Sequence, residues 1–245
     1  SGNHAQALAL AAKLLNVSCT VVMPSNSSKI KIEATKGYGA EVVMCGPSLS
    51  DRKETADELV SRHGYVLVHP YDNDDIIAGA GTSAYELIKD VESLDYIFCP
   101  VGGGGLISGT SIAAKALLPK TMVIGCEPEK ANDACRSFKS GELVPNLCID
   151  TIADGLRTSL CPRTFGIIRE NVDDIICVSE EAIIYAMRFF WERMKLVVEP
   201  SGAVSLAALL SKKIDVGNRK VGVIASGGNV DLSGFFRELR QVSSG

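Results

Sequence analysis

Asp95-Tyr96-Ile97-Phe98-Cys99-Pro100-Val101, Gly102-Gly103-Gly104-Gly105, Leu106-Ile107-Ser108-Gly109-Thr110-Ser111-Ile112 is the stretch whose reading decides the fold. The apolar, aromatic-rich run Tyr96–Val101 has the composition and length of a strand. Four glycines then strip every side chain from the turn. Beyond them Leu106, Ile107, Ile112, Ala113, Ala116 and Leu117 recur at helical spacing in an Ala-rich context that favours a helix. Strand, bare glycine turn and helix together aim backbone N–H groups and a helix N-terminus at a phosphate. A plain tight turn needs only one or two glycines.

Outward from this segment, strand and helix patterns alternate. The pattern predicts strands at Cys19–Met23, Glu41–Met44, Tyr65–Val68, Met122–Cys126, Asp174–Val178 and Lys220–Ala225. Helical patterns cover Leu8–Leu15, Ser28–Thr35, Asp51–His63, Ile76–Asp90 and Glu180–Lys195, an Ala/Leu-rich helix begins at Glu199-Pro200-Ser201-Gly202-Ala203, and a last helix closes the chain. Such alternation marks parallel sheets with crossover helices. We therefore expect an α/β protein of two lobes with a cleft between them, a small domain over 1–71 and a larger one over 72–245.

Composition narrows the function. At 245 residues, 46% hydrophobic and 22% charged, the chain can bury a sizeable core and has ordinary globular usage. A formal net charge of −4 argues against nucleic acid as a partner, and no apolar run reaches membrane-spanning length. Eight cysteines lie scattered without CxxC pairs, which predicts free thiols in a reducing cytoplasm. The abrupt opening Ser1-Gly2-Asn3-His4, running at once into a helix, leads us to expect a natural chain that starts further upstream.

Ser1-Gly2-Asn3-His4, Gly102–Gly105, Glu199-Pro200-Ser201-Gly202-Ala203 and Ser226-Gly227-Gly228-Asn229 all fall where ligands sit in parallel α/β sheets. With Asp150-Thr151-Ile152-Ala153-Asp154-Gly155, Trp191-Glu192-Arg193-Met194-Lys195-Leu196 and Ser226–Leu232, these motifs resemble, in order and across nearly the whole chain, the fold type II pyridoxal 5'-phosphate (PLP) enzymes. The branch is that of the serine racemases and serine/threonine dehydratases, with the motifs nearest to serine racemase.

The resemblance implies a role for each matching position. Gly102, Gly103, Gly104 and Gly105 hold the cofactor phosphate, Asn3 meets its ring hydroxyl and Ser226 its pyridine nitrogen. A hydroxyl there does not force protonation of the ring as a carboxylate would. Ser1 is the second acid/base group, opposite the Schiff-base lysine, and Ser1, Asn3, His4, Arg52 and Thr158 bind substrate. Glu127, the carbonyl of Ala131 and Asp133 match a divalent-cation loop for Mg²⁺ or Ca²⁺, with Mn²⁺ as a further candidate; these are hard oxygen ligands. Lys195, Asn229 and Tyr38 match nucleotide-site positions for an ATP effector. A small amino-acid substrate, a homodimer and a cytoplasmic setting follow from the same resemblance.

Three departures from the family pattern stand out. Its Schiff-base lysine sits in a Ser-x-Lys-x-Arg-Gly-Ala-like segment ahead of Ser-Gly-Asn-His, so the sequence leaves two expectations: a lysine segment upstream of Ser1, or a non-catalytic remnant. Ser137-Phe138-Lys139-Ser140-Gly141 lacks the arginine and follows the cation loop, which marks Lys139 as a surface lysine. Tyr71 stands where asparagine is frequent, and Ala80 where glutamine is usual. The leading expectation is serine racemisation with β-elimination to pyruvate and ammonia, and the alternative is a threonine/serine dehydratase. A nicotinamide-binding reductase is disfavoured because spaced glycines and a ribose-binding acid are absent.

Overall fold

The computed structural model describes residues 2–146 and 149–231. Two compact units emerge: one holds the described residues up to Val68 and from Asn229 on, the other is His69–Gly228.

In the first unit, helix α1 (Gly2–Leu15) precedes strand β1 (Thr20–Pro24), helix α2 (Lys29–Gly37), strand β2 (Glu41–Cys45) and helix α3 (Leu49–His63). β1 and β2 pair in parallel, Thr20 opposite Glu41 through Pro24 opposite Cys45. Ala5, Ala9, Val21, Met23 and Ala40 form the core of the unit, the small residues of α1 letting that helix lie close to the sheet. α3 starts at a capping box, Ser48 Oγ accepting from the Asp51 N–H at 3.0 Å while the Asp51 carboxylate accepts from the Ser48 N–H. It stops at Gly64, whose left-handed backbone (φ 68°) suits glycine. The strand expected at Tyr65–Val68 does not form. The stretch has no ladder partner among the described residues, Val66 is 89% exposed, and a strand without a neighbour has unpaired backbone groups to satisfy with water.

The second unit is built on a four-stranded parallel sheet. Its elements are α4 (Asp74–Val91), β3 (Tyr96–Pro100), α5 (Gly105–Leu117), β4 (Met122–Pro128), α6 (Asp133–Ser140), α7 (Pro162–Asn171), β5 (Asp174–Val178), α8 (Glu180–Phe189), α9 (Pro200–Leu210) and β6 (Val221–Val223). The strand order is β5-β4-β3-β6, so β3 is central and all five of its residues are buried. That burial explains its unbroken apolar run, since a parallel strand is covered on both faces. Ile97, Cys99, Val101, Ile107, Val123, Ile168 and Ile175 make up the core between sheet and helices. α4 and α5 cross at two glycines: a Cβ on Gly109 would run into the Ile77 carbonyl and the Gly81 amide, and one on Gly81 would lie 2.8 Å from the Gly109 oxygen. The sequence pattern extends one helix over Glu180–Lys195, whereas α8 ends at Phe189 and a π-turn follows over Phe190–Met194, closed by Lys195 at φ 61°. α6 also takes in Ser137–Ser140, the start of the segment that only looks like a lysine motif. The expected last helix lies outside the described residues.

Candidate active site

β3 delivers the glycine turn. Its chain leaves the sheet at Val101, whose N–H donates to the Cys126 carbonyl at 2.8 Å, and α5 begins four residues later. Each glycine is enclosed. A Cβ on Gly102 would lie 3.1 Å from the Gly155 carbonyl oxygen, and one on Gly105 2.9 Å from the Tyr71 Cβ. Gly103 faces the Tyr71 ring too closely for any Cβ, and its carbonyl accepts from Thr164 Oγ1 at 2.9 Å. Gly104 adopts φ +90°, with Thr164 and Leu160 2.7 and 2.8 Å from where its Cβ would be. The four residues are buried, yet their N–H groups make no hydrogen bond to any described residue. Buried backbone donors are nearly always paired, so this turn is suited to an acceptor that is not among the described residues. The positive end of α5 adds to its preference for an anion.

Three motif segments close around the same sheet edge. Asp150–Gly155 brings the Gly155 carbonyl against Gly102, while the Gly155 N–H donates to Ser201 Oγ at 2.9 Å. Buried Glu199 donates its N–H to the Gly227 carbonyl at 3.0 Å, which ties the start of α9 to the Ser226–Gly228 loop beyond β6. Ser226 itself is exposed, and Thr158 is half-buried in the loop before α7. Tyr71 covers the turn, and its loop is fixed to α7 because Arg163 pairs with both Asp72 (2.8 Å) and Asp74. The guanidinium holds the Asp72 carboxyl below the usual carboxylate range. The departure from asparagine at 71 thus falls on the glycine turn itself.

Other expected site residues belong to the first unit. Asn3 Oδ1 accepts from Asn229 Nδ2 at 3.2 Å, and His4 Nε2 is 3.0 Å from the Val68 carbonyl oxygen. Arg52 is half-buried on α3, and Tyr38 packs on the core of that unit at the end of α2. Ser1 lies outside the described residues. Lys195 is exposed in the second unit and donates to the Glu192 carbonyl.

The expected cation loop is a buried carboxyl pair. Glu127, at the end of β4, accepts from the Ala134 N–H at 3.0 Å and the Cys135 N–H at 2.8 Å, so it caps α6. Asp133 Oδ2 accepts from the Leu160 N–H at 3.0 Å, whereas buried Oδ1 has no hydrogen-bond partner among the described residues. Burial pushes the Glu127 carboxyl up to about 9, with the nearby Asp133 charge adding to the rise, and burial likewise moves Asp133 up to about 6. Ala131 is fully buried between them in sequence. Among the described residues no three His, Cys, Asp or Glu side chains gather, so a cation here would rely on two carboxylates, a carbonyl and water. The unpartnered Oδ1 and the penalised charges fit such an ion.

Sequence reasoning missed the buried Ser108 hydroxyl, which has no partner among the described residues, and the seat of Thr164 beneath Gly103. Ser108, Thr110 and Ser111 in an otherwise apolar helix were the available signal. Seven cysteines among the described residues are all free, as the sequence pattern predicts.

A parallel α/β sheet whose inner strand opens into a buried turn of N–H donors that no described residue takes is an arrangement suited to a phosphate-bearing ligand. The chain belongs to the family described as pyridoxal-phosphate dependent enzymes, which matches residues 1–227. It is 49% identical over 236 residues to the L-threo-3-hydroxyaspartate ammonia-lyase of Saccharomyces cerevisiae, covering 96% of this chain and 72% of that protein. It is 48% identical over 249 aligned positions to the serine racemase of Dictyostelium discoideum, covering 98% and 75%. The structure of maize serine racemase superposes with a TM-score of 0.93 at 38% identity, over 100% of this chain and 76% of that one. The fold type II resemblance is thereby borne out. Among the described residues, no helix is long and apolar enough to cross a membrane.

Proposed function

We propose that the chain serves PLP-dependent chemistry on small β-hydroxy amino acids, with serine as substrate for racemisation and for β-elimination to pyruvate and ammonia. The observation that carries this is the buried glycine turn whose four N–H groups no described residue takes, in a chain of this family. Bound PLP supplies an electron sink for the pair left at Cα when its proton departs. In this reading Gly102–Gly105 donate to the phosphate and α5 offsets its charge. Thr164 fixes the turn from below through the Gly103 carbonyl, and Tyr71 keeps water off its upper side. Asn3 and Ser226 orient the ring, and His4, Arg52 and Thr158 take the substrate carboxylate. Ser1 moves a proton at Cα on the face away from the lysine. Glu127, Asp133 and the Ala131 carbonyl hold Mg²⁺ or Ca²⁺, and Lys195, Asn229 and Tyr38 form a nucleotide site. A cytoplasmic homodimer completes the reading.

A second reading rests on the 49% identity to a hydroxyaspartate ammonia-lyase: elimination from a substrate with a second carboxylate. Both substrates share the β-hydroxyl and differ by one carboxylate, so one experiment separates them. A polypeptide carrying the family's lysine segment ahead of Ser1 is incubated with PLP and L-serine, L-threonine or L-threo-3-hydroxyaspartate, with keto acid and D-serine measured together. D-serine and pyruvate from L-serine support the first reading. Turnover of hydroxyaspartate alone transfers the assignment to the second.

A further inference from the structure

Two thiols that this function does not use meet behind the cation loop. Cys135, 5% exposed on the first turn of α6, donates its S–H to the Ile175 carbonyl at 3.3 Å. Cys177 stands two residues further along β5, so its side chain shares a face with that of Ile175, and all three pack in one apolar cluster. The opposite side is tied as well: the Cys135 N–H holds Glu127, and Glu127 is the register partner of Cys177 across β4 and β5. The two thiols are near enough to perturb each other electrostatically. Lys139, one turn beyond Cys135 on α6, is close enough for its charge to act on both thiols. Cys177 is half-buried, which leaves the pair open to small reagents.

We propose that Cys135 and Cys177 form a dithiol–disulfide site that reacts with low-molecular-weight disulfides and, once oxidised, pins α6 to β5. One thiolate of the pair attacks a sulfur of the oxidant RSSR, forming a mixed disulfide and expelling RS⁻. The other, its proton lost to solvent, attacks the protein sulfur of that mixed disulfide, closes the Cys135–Cys177 bond and expels the second RS⁻. The protein gives up two electrons and two protons, and the oxidant ends as two thiols. Cys99 and Cys126 provide the contrast within the same sheet. They are fully buried, burial pushes the Cys99 thiol up to about 12, and the Cys126 thiol rises as well.

The test treats the folded chain with hydroxyethyl disulfide, quenches with acid and maps non-reduced peptides by mass spectrometry. The expected result is a Cys135–Cys177 link, an unfolding temperature raised by several degrees, and reversal of both by dithiothreitol. Cys135→Ser and Cys177→Ser should each lose the link and the rise together. A mixed disulfide that persists on either residue in the parent overturns the proposal. So does a link from either to another cysteine, or inertness of both while the partly exposed Cys45 or Cys161 reacts.

Discussion

Gly104→Ala tests the glycine turn where two independent effects coincide. The residue sits at φ +90°, where an L side chain costs about 1–2 kcal/mol. Its new Cβ would also stand 2.7 Å from Thr164 and 2.8 Å from Leu160, and overpacking of that kind costs about 1–3 kcal/mol. The sum is about 2–5 kcal/mol, a large share of the roughly 5–15 kcal/mol that holds a domain together. At about 2–4 °C per kcal/mol for a chain of this size, the unfolding temperature should fall by roughly 4–20 °C. Gly166→Ala is the control: the position lies on α7 with nothing within 4 Å of its Cβ, so the helix-propensity gain of up to about 1 kcal/mol should leave stability unchanged or raised. Calorimetry on both variants reads the difference. Equal unfolding temperatures for Gly104→Ala and the parent would refute the packing described around the turn.

Two further outcomes follow from the site. Mg²⁺ or Ca²⁺ should raise the unfolding temperature through linkage to the native state, and Asp133→Ala, which removes the unpartnered Oδ1, should abolish the increment; an unchanged response would leave the loop as a capped acidic turn. In a polypeptide with the family's lysine in place, Ser1→Ala should cut D-serine formation from L-serine by roughly 10²–10⁴ while pyruvate formation falls far less, because racemisation needs an acid/base group on each face of Cα and elimination needs one. Chiral chromatography with a coupled pyruvate assay measures both, and equal loss of the two products would assign Ser1 to capping or positioning.

The glycine turn is legible because it is built from local sequence: a buried apolar strand, residues without Cβ, and a helix start, all within Tyr96–Leu117. The Tyr65–Val68 stretch misled for the opposite reason. Its apolar residues satisfy strand composition, but a strand exists only with a neighbour, and β1 and β2 pair with each other alone among the described residues. The π-turn after Phe189 carries no composition signal, since Phe190–Met194 continues a helical pattern. The crossing at Gly81 and Gly109 and the seat of Thr164 under Gly103 arise from elements far apart in the chain, so only tertiary packing displays them. The same holds for Cys135 and Cys177, brought into one apolar cluster by the docking of α6 on β5 rather than by any spacing motif. Family resemblance singles out Glu127 and Asp133 as expected cation ligands, whereas the capping of α6 by Glu127 is visible only in the fold.

The most direct test of the central claim is the set of backbone amide resonances of Gly102, Gly103, Gly104 and Gly105 in the ¹⁵N-labelled chain, followed while PLP or pyridoxal is added. The account predicts that PLP and inorganic phosphate shift these four amides and that pyridoxal, which has the ring without the phosphate, leaves them in place. Shifts of equal size with pyridoxal, or glycine amides unmoved by saturating PLP, would contradict it.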